Sequence, residues 1–274
     1  MPGLLKPEHP FLKEIVRFIA YLEFPAELAG QYLCLFPNCT TNLSITLEGP
    51  VITGNGQALS NFAGTSCLSP MVFDRSRSIR ILDIQFEPFG LHALLGRPMD
   101  EYTNRVPPLD VLFRPSDLEV LYNRAIDAAD FSEVVQAVEL FLLNAWQHRE
   151  PDARITAGVR RLQSLASPDM DTLGNDLCLS SRGLRKLFKR NLGISPKYFA
   201  NLMRFNRAAR RINGDADSSL TAIALDQGYY DQAHFIREFR KFAGITPNDF
   251  RRLPGKSAEF YNFIPEGPIT FGMS

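Results

Sequence analysis

The sequence predicts an α+β protein. A small β-barrel or sandwich with following helices precedes an all-α part that contains two helix-turn-helix units. Three observations predict this. Short alternating strands fill the first hundred residues, helical periodicity runs almost unbroken from Ala153 to Leu253, and a twelve-residue pattern recurs 51 residues further on within that helical part.

The β region comes first. Asn42-Leu43-Ser44-Ile45-Thr46-Leu47 alternates polar and apolar residues, so Leu43, Ile45 and Leu47 share one face. Glu48-Gly49-Pro50 interrupts it, Val51-Ile52-Thr53 follows, and Gly54-Asn55-Gly56 signals a turn. Leu82-Asp83-Ile84-Gln85-Phe86 alternates again. Short strands punctuated by Gly, Pro and Asn are the pattern of a small sandwich or barrel.

Helical spacing begins at Leu91, Leu94 and Leu95. After a proline-containing stretch, Leu118, Leu121 and Tyr122 mark one amphipathic helix, and Val134, Val135, Val138, Phe141 and Leu142 mark another. Ser132 is the expected N-cap of the latter, which ends near Trp146. Glu150-Pro151-Asp152 is the expected boundary, because proline disfavours helix at the residue before it. The division expected is 1–151, 152–254 and a tail at 255–274.

Composition agrees with a globular chain. Of 274 residues, 45% are hydrophobic and 22% charged. No apolar stretch approaches the ~20 residues of a membrane span, and the N-terminus lacks the apolar run of a signal peptide, so a cytoplasmic location is expected. The formal net charge of zero hides an asymmetry. Residues 1–151 hold 11 Lys+Arg against 18 Asp+Glu (−7), residues 152–254 hold 18 against 10 (+8), and the tail holds one against two (−1). A basic half beside an acidic half suits a chain of which only one part meets phosphates.

The repeat lies in the basic half. Phe188-Lys-Arg-Asn-Leu-Gly-Ile-Ser-Pro-Lys-Tyr-Phe199 aligns with Phe239-Arg-Lys-Phe-Ala-Gly-Ile-Thr-Pro-Asn-Asp-Phe250, with five identities and three Lys/Arg or Ser/Thr exchanges in twelve positions. Each copy reads as a helix-turn-helix. In the first, Leu173 and Leu177 lie on a short helix, Leu179 closes the turn and Ser180 caps the next helix, which buries Leu184, Leu187 and Phe188. Gly193 ends that helix, and Ser195-Pro196 starts another. In the second, Ile223 and Ala224 lie on the first helix. Gly228 supplies a positive φ with Tyr229 packed beneath it, and Asp231 caps the helix that buries Phe235, Phe239 and Phe242. Gly244 and Thr246-Pro247 repeat the stop and restart.

Such a unit leaves one helix exposed, and that helix fits the major groove of double-stranded DNA. Arginine there can hold guanine O6 and N7 together, while flanking cations and helix N-termini bind phosphates. The exposed candidates are Ser181, Arg182, Arg185, Lys186 and Lys189 in the first helix, and Gln232, Ala233, His234, Ile236, Arg237 and Arg240 in the second.

Residues ~155–253, with boundaries good to a few positions, resemble the DNA-binding domain of the AraC/XylS family of transcriptional regulators. The resemblance is carried by Ile223-Ala224, Gly228-Tyr229, Asp231, Phe235, Phe239, Gly244-Ile245-Thr246-Pro247 and Phe250-Arg251. It implies seven helices, with a longer one at about Pro196–Asn213 joining two units whose recognition helices enter successive major grooves. By position it implies readers at Arg182, Arg185, Lys186, Gln232, His234 and Arg237. Two departures stand out. Gly183 lies inside the first recognition helix, at about 1 kcal/mol in helix propensity, and Ala233 occupies a position where a polar reader often sits. The N-terminal strands and Phe86-Glu-Pro-Phe-Gly-Leu-His-Ala-Leu-Leu-Gly look like the cupin-like domain that some AraC-type regulators carry. That likeness implies effector sensing, self-association or both. The implied partners are promoter DNA, a small-molecule effector, RNA polymerase and a second copy of the chain, without a membrane.

Other residue types point elsewhere only weakly. His9, His92, His148 and His234 have no metal-ligand spacing, so neither a metal nor a cofactor is expected. Cys34, Cys39, Cys67 and Cys178 fit no paired knuckle and are expected as buried thiols. The stripe Val135, Val138, Phe141, Leu142 and Trp146 suits a core or a dimer seam equally. GxSxG, phosphate-loop and GxGxxG motifs are missing, so an enzyme is not expected. The competing reading is a cupin-type enzyme or binding protein with a vestigial helix-turn-helix.

Overall fold

Among the described residues, nine short strands and four α-helices lie between residues 4 and 145, and seven α-helices follow between 153 and 252. The computed structural model describes residues 4–24, 32–38, 40–49, 51–53, 57–64, 71–74, 78–165, 168–214 and 218–252. Strands β1 (Leu4–Leu5), β2 (Val16–Phe24), β9 (Ile79–Phe86), β4 (Thr41–Glu48) and β7 (Phe62–Gly64) form one sheet in the order β1-β2-β9-β4-β7. Strands β3 (Tyr32–Leu35), β8 (Met71–Asp74), β5 (Val51–Thr53) and β6 (Ala58–Leu59) form a second, in the order β3-β8-β5-β6. All pairings are antiparallel. Among the described residues no ladder joins the two sheets, so of the expected barrel or sandwich the open, two-sheet arrangement is observed.

The alternation in the sequence sets which side of each strand is covered. Leu43, Ile45 and Leu47 share one buried face of β4, with Leu82, Ile84 and Phe86 beside them on β9. The other face is covered too. Phe18, Ala20, Leu22, Ile79 and Ile81 meet Val51 and Leu59 of the second sheet. Next to this apolar patch lies a buried polar row, where Asn42 Nδ2 (2.7 Å) and Ser44 Oγ (2.8 Å) donate to Asp83 Oδ1. Burial pushes the Asp83 pKa up to about 6 against the opposing effect of those two hydrogen bonds.

Helices cover the first face. Short α1 (Pro10–Ile15) and α2 (Gly90–Leu95) are followed by α3 (Pro115–Asp127) and α4 (Phe131–Ala145). The N-cap of α4 is Asp130, not the expected Ser132. Asp130 Oδ1 accepts from the backbone N–H of both Ser132 and Glu133, and its carboxylate also suits the positive end of the helix dipole. The stripe that suited either core or seam resolves as core. Val135, Val138, Phe141 and Leu142 are buried, Phe141 packs on Phe113 at 4.9 Å, and Trp146 stacks on Phe11 at 3.9 Å.

The C-terminal helices are α5 (Ala153–Ser164), α6 (Met170–Asp176), α7 (Ser181–Leu192), α8 (Pro196–Gly214), α9 (Leu220–Asp226), α10 (Gln232–Ala243) and α11 (Pro247–Arg252). Seven helices with a long central one match the expectation. Asp152 caps α5 by accepting from Arg154 N, so the helix starts directly after Pro151. Ile155, Val159, Leu162, Leu184, Phe188 and Phe199 belong to the same continuous apolar cluster as β4, β9, α2 and α4. Phe205, Phe235, Phe239, Phe242 and Phe250 form a separate cluster, which Phe36 joins from the N-terminal half. Gly54-Asn55-Gly56, Cys39, Cys67 and the tail at 255–274 lie outside the described residues.

Candidate nucleic-acid interface

The first unit is α6, a tight turn and α7. Asp169 caps α6 by accepting from Thr172 N, and Leu173 is buried beneath it. Leu177, expected on this helix with Leu173, follows its last turn instead. The chain then reverses through Cys178 at φ +53°, and Leu179 N donates to Gly174 O at 2.8 Å. A side chain at Gly174 would collide with that region, since its Cβ would lie 2.9 Å from Leu179 O. Ser180 Oγ accepts from Gly183 N at 3.2 Å, as the cap position required. Leu184 and Phe188 face the core, Leu187 is half-buried, and Gly193 ends α7 at φ +80°.

The second unit repeats this chemistry. Ser219 caps α9, Gly228 turns the chain at φ +74°, and Tyr229 N donates to Ala224 O at 2.9 Å. Tyr229 is buried beneath the turn, with the Arg204 guanidinium 4.6 Å above its ring and donating to Gly228 O at 3.1 Å. Asp231 caps α10 through His234 N, Phe235 and Phe239 fill the core, and Gly244 ends the helix at φ +73°.

The two units are in register at an offset of 51 from cap to stop: Ser180 with Asp231, Gly193 with Gly244. Upstream the offset is 50: Gly174 with Ala224, Cys178 with Gly228, Leu179 with Tyr229. One residue has therefore been added to the second turn, between the buried Tyr229 and the cap Asp231. That residue is Tyr230, which is 87% exposed. The twelve-residue repeat begins at Phe188, downstream of this insertion, and so does not reach Tyr230; the signal in the sequence is Leu179-Ser180 against Tyr229-Tyr230-Asp231.

Most of the expected contact residues are displayed. Ser181, Arg182, Arg185, Lys186 and Lys189 on α7 are exposed, as are Gln232, Ala233, Arg237 and Arg240 on α10. Among the described residues, Arg182, Arg185, Lys186, Lys189, Arg237 and Arg240 form no ion pair, so their charge is unneutralised at the surface. Two of the expected readers are engaged locally. Gln232 Oε1 accepts from Thr221 Oγ1 of α9 at 3.0 Å. His234 is half-buried, with its ring 5.6 Å from that of Tyr229 and its Nδ1 facing Tyr230 N at 3.4 Å. Ile236 is half-buried as well.

Part of the basic charge is internal. Arg207 of α8 donates to Gln163 O, Leu165 O and Gln227 Oε1, so it ties the end of α5 to the end of α9. Together with Arg204 it holds the second unit on α8. Cys178, expected as a buried thiol, is exposed because it occupies the tip of the first turn. Among the described residues no group of three or more His, Cys, Asp or Glu is placed to hold a metal ion, and no helix is long and apolar enough to cross a membrane.

Two capped recognition helices, each packed on a shorter partner and joined through one rod-like helix, define a double helix-turn-helix DNA-binding domain. Residues 173–253 match a helix-turn-helix domain family. Over 96 residues the chain is 32% identical to the HTH-type transcriptional regulator ArgR of Pseudomonas aeruginosa, covering 35% of this chain and 29% of that protein. Over 79 residues it is 33% identical to the HTH-type transcriptional activator RhaS of Pectobacterium atrosepticum, covering 29% and 28%. A solved AraC-type DNA-binding-domain-containing regulator from Chromobacterium violaceum is 28% identical over 37% of this chain and 95% of its own, with a TM-score of 0.35. The chain thus spans less than a third of the length of the curated relatives it matches. Its residues 173–253 are a helix-turn-helix domain, similar to those of these transcriptional regulators.

Proposed function

We propose that this chain is a sequence-specific DNA-binding transcriptional regulator rather than an enzyme, and that its N-terminal half receives the signal. The observation that carries the reading is the pair of recognition helices whose exposed cations lack protein partners. Ser181, Arg182, Arg185, Lys186, Lys189, Gln232, His234, Arg237 and Arg240 meet the duplex, and the added Tyr230 meets it at the start of α10. Residues 1–151 act as a cupin-like sensing or dimerising domain, 152–254 as the DNA-binding domain and 255–274 as a tail. RNA polymerase and a second copy of the chain are the protein partners of a cytoplasmic regulator of this kind. Genomic fragments selected by the purified protein supply the test. Affinity for a selected site should fall steeply as salt rises. Arg182→Ala or Arg237→Ala should relax base preference at one position by about 1–3 kcal/mol. Unchanged selectivity in both variants would remove these residues as readers.

A further inference from the structure

A cleft opens where the first recognition helix faces the N-terminal half. Its walls are α2, the connecting segment 149–154 and the flank of α7 that carries Gly183, Lys186 and Arg190. Its volume is about 390 Å³, the size of a small-molecule site and much too small for the body of a duplex.

The cleft is lined by more cations than anions. Arg149 and Arg154 of the connecting segment and Lys186 and Arg190 of α7 outnumber Glu150 and Asp152, which lie on that same segment. Asp152 is already bound to Arg154 at 2.7 Å. Among the described residues Arg149, Lys186 and Arg190 have no ion pair, although all three line the same cleft. His92 completes the group from α2. Its Nδ1 lies 2.6 Å from Arg97 O. A carbonyl only accepts, so Nδ1 carries the proton and the other ring nitrogen of the neutral ring is bare.

We propose that this cleft binds a small hydrophilic anion bearing two or more carboxylate or phosphate groups, held by Arg149 and His92 on one wall and Lys186 and Arg190 on the other. Such a ligand relieves the mutual repulsion of the cations and replaces the ion pairs they lack. It also bridges the N-terminal half to α7. Lys186 then serves either the anion or the duplex, so the two oppose each other, and by linkage the opposition is reciprocal. This coupling rests on the DNA-binding reading; the anion site does not.

His92 adds a pH dependence. Burial, and after it the nearby Arg190 and Arg149, hold its pKa below the usual histidine value, against the raising effect of the Arg97 carbonyl. The remaining charged groups at the cleft are Glu150, Asp152, Arg154 and Lys186. A bound anion favours the imidazolium, whose second N–H can donate to it. The contribution of His92 to anion affinity therefore rises as pH falls through the histidine range.

The chain's single tryptophan reports on the site, because the Trp146 indole N–H donates to Arg149 O at 3.2 Å. Citrate and pyrophosphate are titrated separately into the full-length protein at constant ionic strength, with sodium chloride as control. A saturable change in Trp146 fluorescence is expected with at least one of them, citrate alone marking a carboxylate ligand and pyrophosphate alone a phosphate ligand. The Arg149→Gln/Arg190→Gln variant should bind at least tenfold more weakly while keeping the wild-type melting curve. Because citrate and pyrophosphate themselves titrate in this range, the comparison is made at each pH: the ratio of wild-type to His92→Gln affinity should grow as pH falls from 7.5 to 5.5. A response that follows ionic strength alone, or equal binding by wild type and double variant, would overturn the site. With the anion saturating, affinity for a selected DNA fragment should drop at least fivefold. Unchanged DNA affinity at saturated fluorescence would overturn the coupling. Loss of DNA affinity by Arg149→Gln without any anion effect would reassign the cleft to DNA phosphates and overturn the small-molecule site.

Discussion

The two helix-turn-helix units are close copies in their local chemistry, but they are mounted differently. The first is continuous with the N-terminal half: Leu184, Phe188, Leu192 and Ile194 share one apolar cluster with β4, β9, α2 and α4. Its stop residue Gly193 is buried, and Gly193 O accepts from Thr103 Oγ1 at 2.8 Å. The second unit has its own aromatic core, to which the N-terminal half contributes Phe36, at 5.3 Å from Phe250. Its stop residue Gly244 is exposed. The lesson is that a repeat can keep its caps and turns, which are local, while the outer surface of each copy is rebuilt for a different neighbour. The N-terminal half is thus packed directly against the first recognition helix and only slightly against the core of the second unit.

The strongest way to test that asymmetry is through the two cores. Phe188→Ala and Phe239→Ala each remove a fully buried ring and should each cost about 3–5 kcal/mol. The first should lower hydrogen-exchange protection in β4 and β9 as well as in α7. The second should lower it in α8 to α11 and leave the strands protected. Equal loss in the strands from both variants would show that the units unfold as one body.

The stop glycines provide a smaller contrast. Alanine at Gly193 must adopt a left-handed conformation, and its Cβ would also lie 2.5 Å from Thr103 Oγ1 and 2.9 Å from Met99 O. We expect a loss of about 2–4 kcal/mol. Alanine at the exposed Gly244, at φ +73°, carries a backbone strain of about 1–2 kcal/mol. Thermal unfolding of the two variants checks the difference, and equal losses would mean that the first unit is not held by the Thr103 turn.

Acidity should separate the regions further. Asp83 has a folded-state pKa of about 6, above the ordinary carboxylate value of 3.8. The folded state therefore binds its proton more readily than the unfolded chain, and this group's contribution to stability improves as pH falls through 6 toward 4. Between pH 7 and 5 the gain is about 1 kcal/mol. His92 works in the opposite direction, since its pKa is lowered. The difference between wild type and Asp83→Asn isolates the carboxyl. The variant should be the more stable at pH 7, lose that advantage by pH 5, and show the change in β4 and β9 but not in α10. A pH-independent difference would refute the assignment.

The smallest effect concerns the added residue. Tyr230→Ala should change stability by no more than about 0.5 kcal/mol. It should weaken binding to a selected duplex by about 0.5–1.5 kcal/mol, the worth of one hydrogen bond. Tyr230→Phe separates the hydroxyl from the ring. Anisotropy titrations with a labelled duplex measure both, and wild-type affinity in Tyr230→Ala would remove it from the interface.

What could be read from residues alone was what acts over three or four positions. Ser180, Asp231, Gly193, Gly228 and Gly244 stand where caps and turns need them, and each does the expected work. Ser132 was mistaken for a cap because two side chains within one turn could both serve, and only the backbone direction at Asp130 decides between them. The alternation of β4 was legible, but the burial of its polar face was not, since that depends on a second sheet. Charge asymmetry pointed to the correct half of the chain while overstating the exposed cations, because Arg204 and Arg207 turn inward. The docking of α7 joins Thr103 to Gly193 across 90 positions, and no local pattern announces such a contact.

Helix α8 has a consequence for the target as much as for the protein. Its 19 residues make a rod of about 28 Å, and Arg207 on it ties the end of α5 to the end of α9. The first unit packs on the same rod through Phe188 against Phe199, at 6.0 Å, so neither reading head can swivel alone without breaking one of these contacts. The phase between two half-sites is thereby written into the protein. A target whose halves are pushed apart by five base pairs would present its second half on the wrong side of the duplex, and the loss could not be made up by bending the protein.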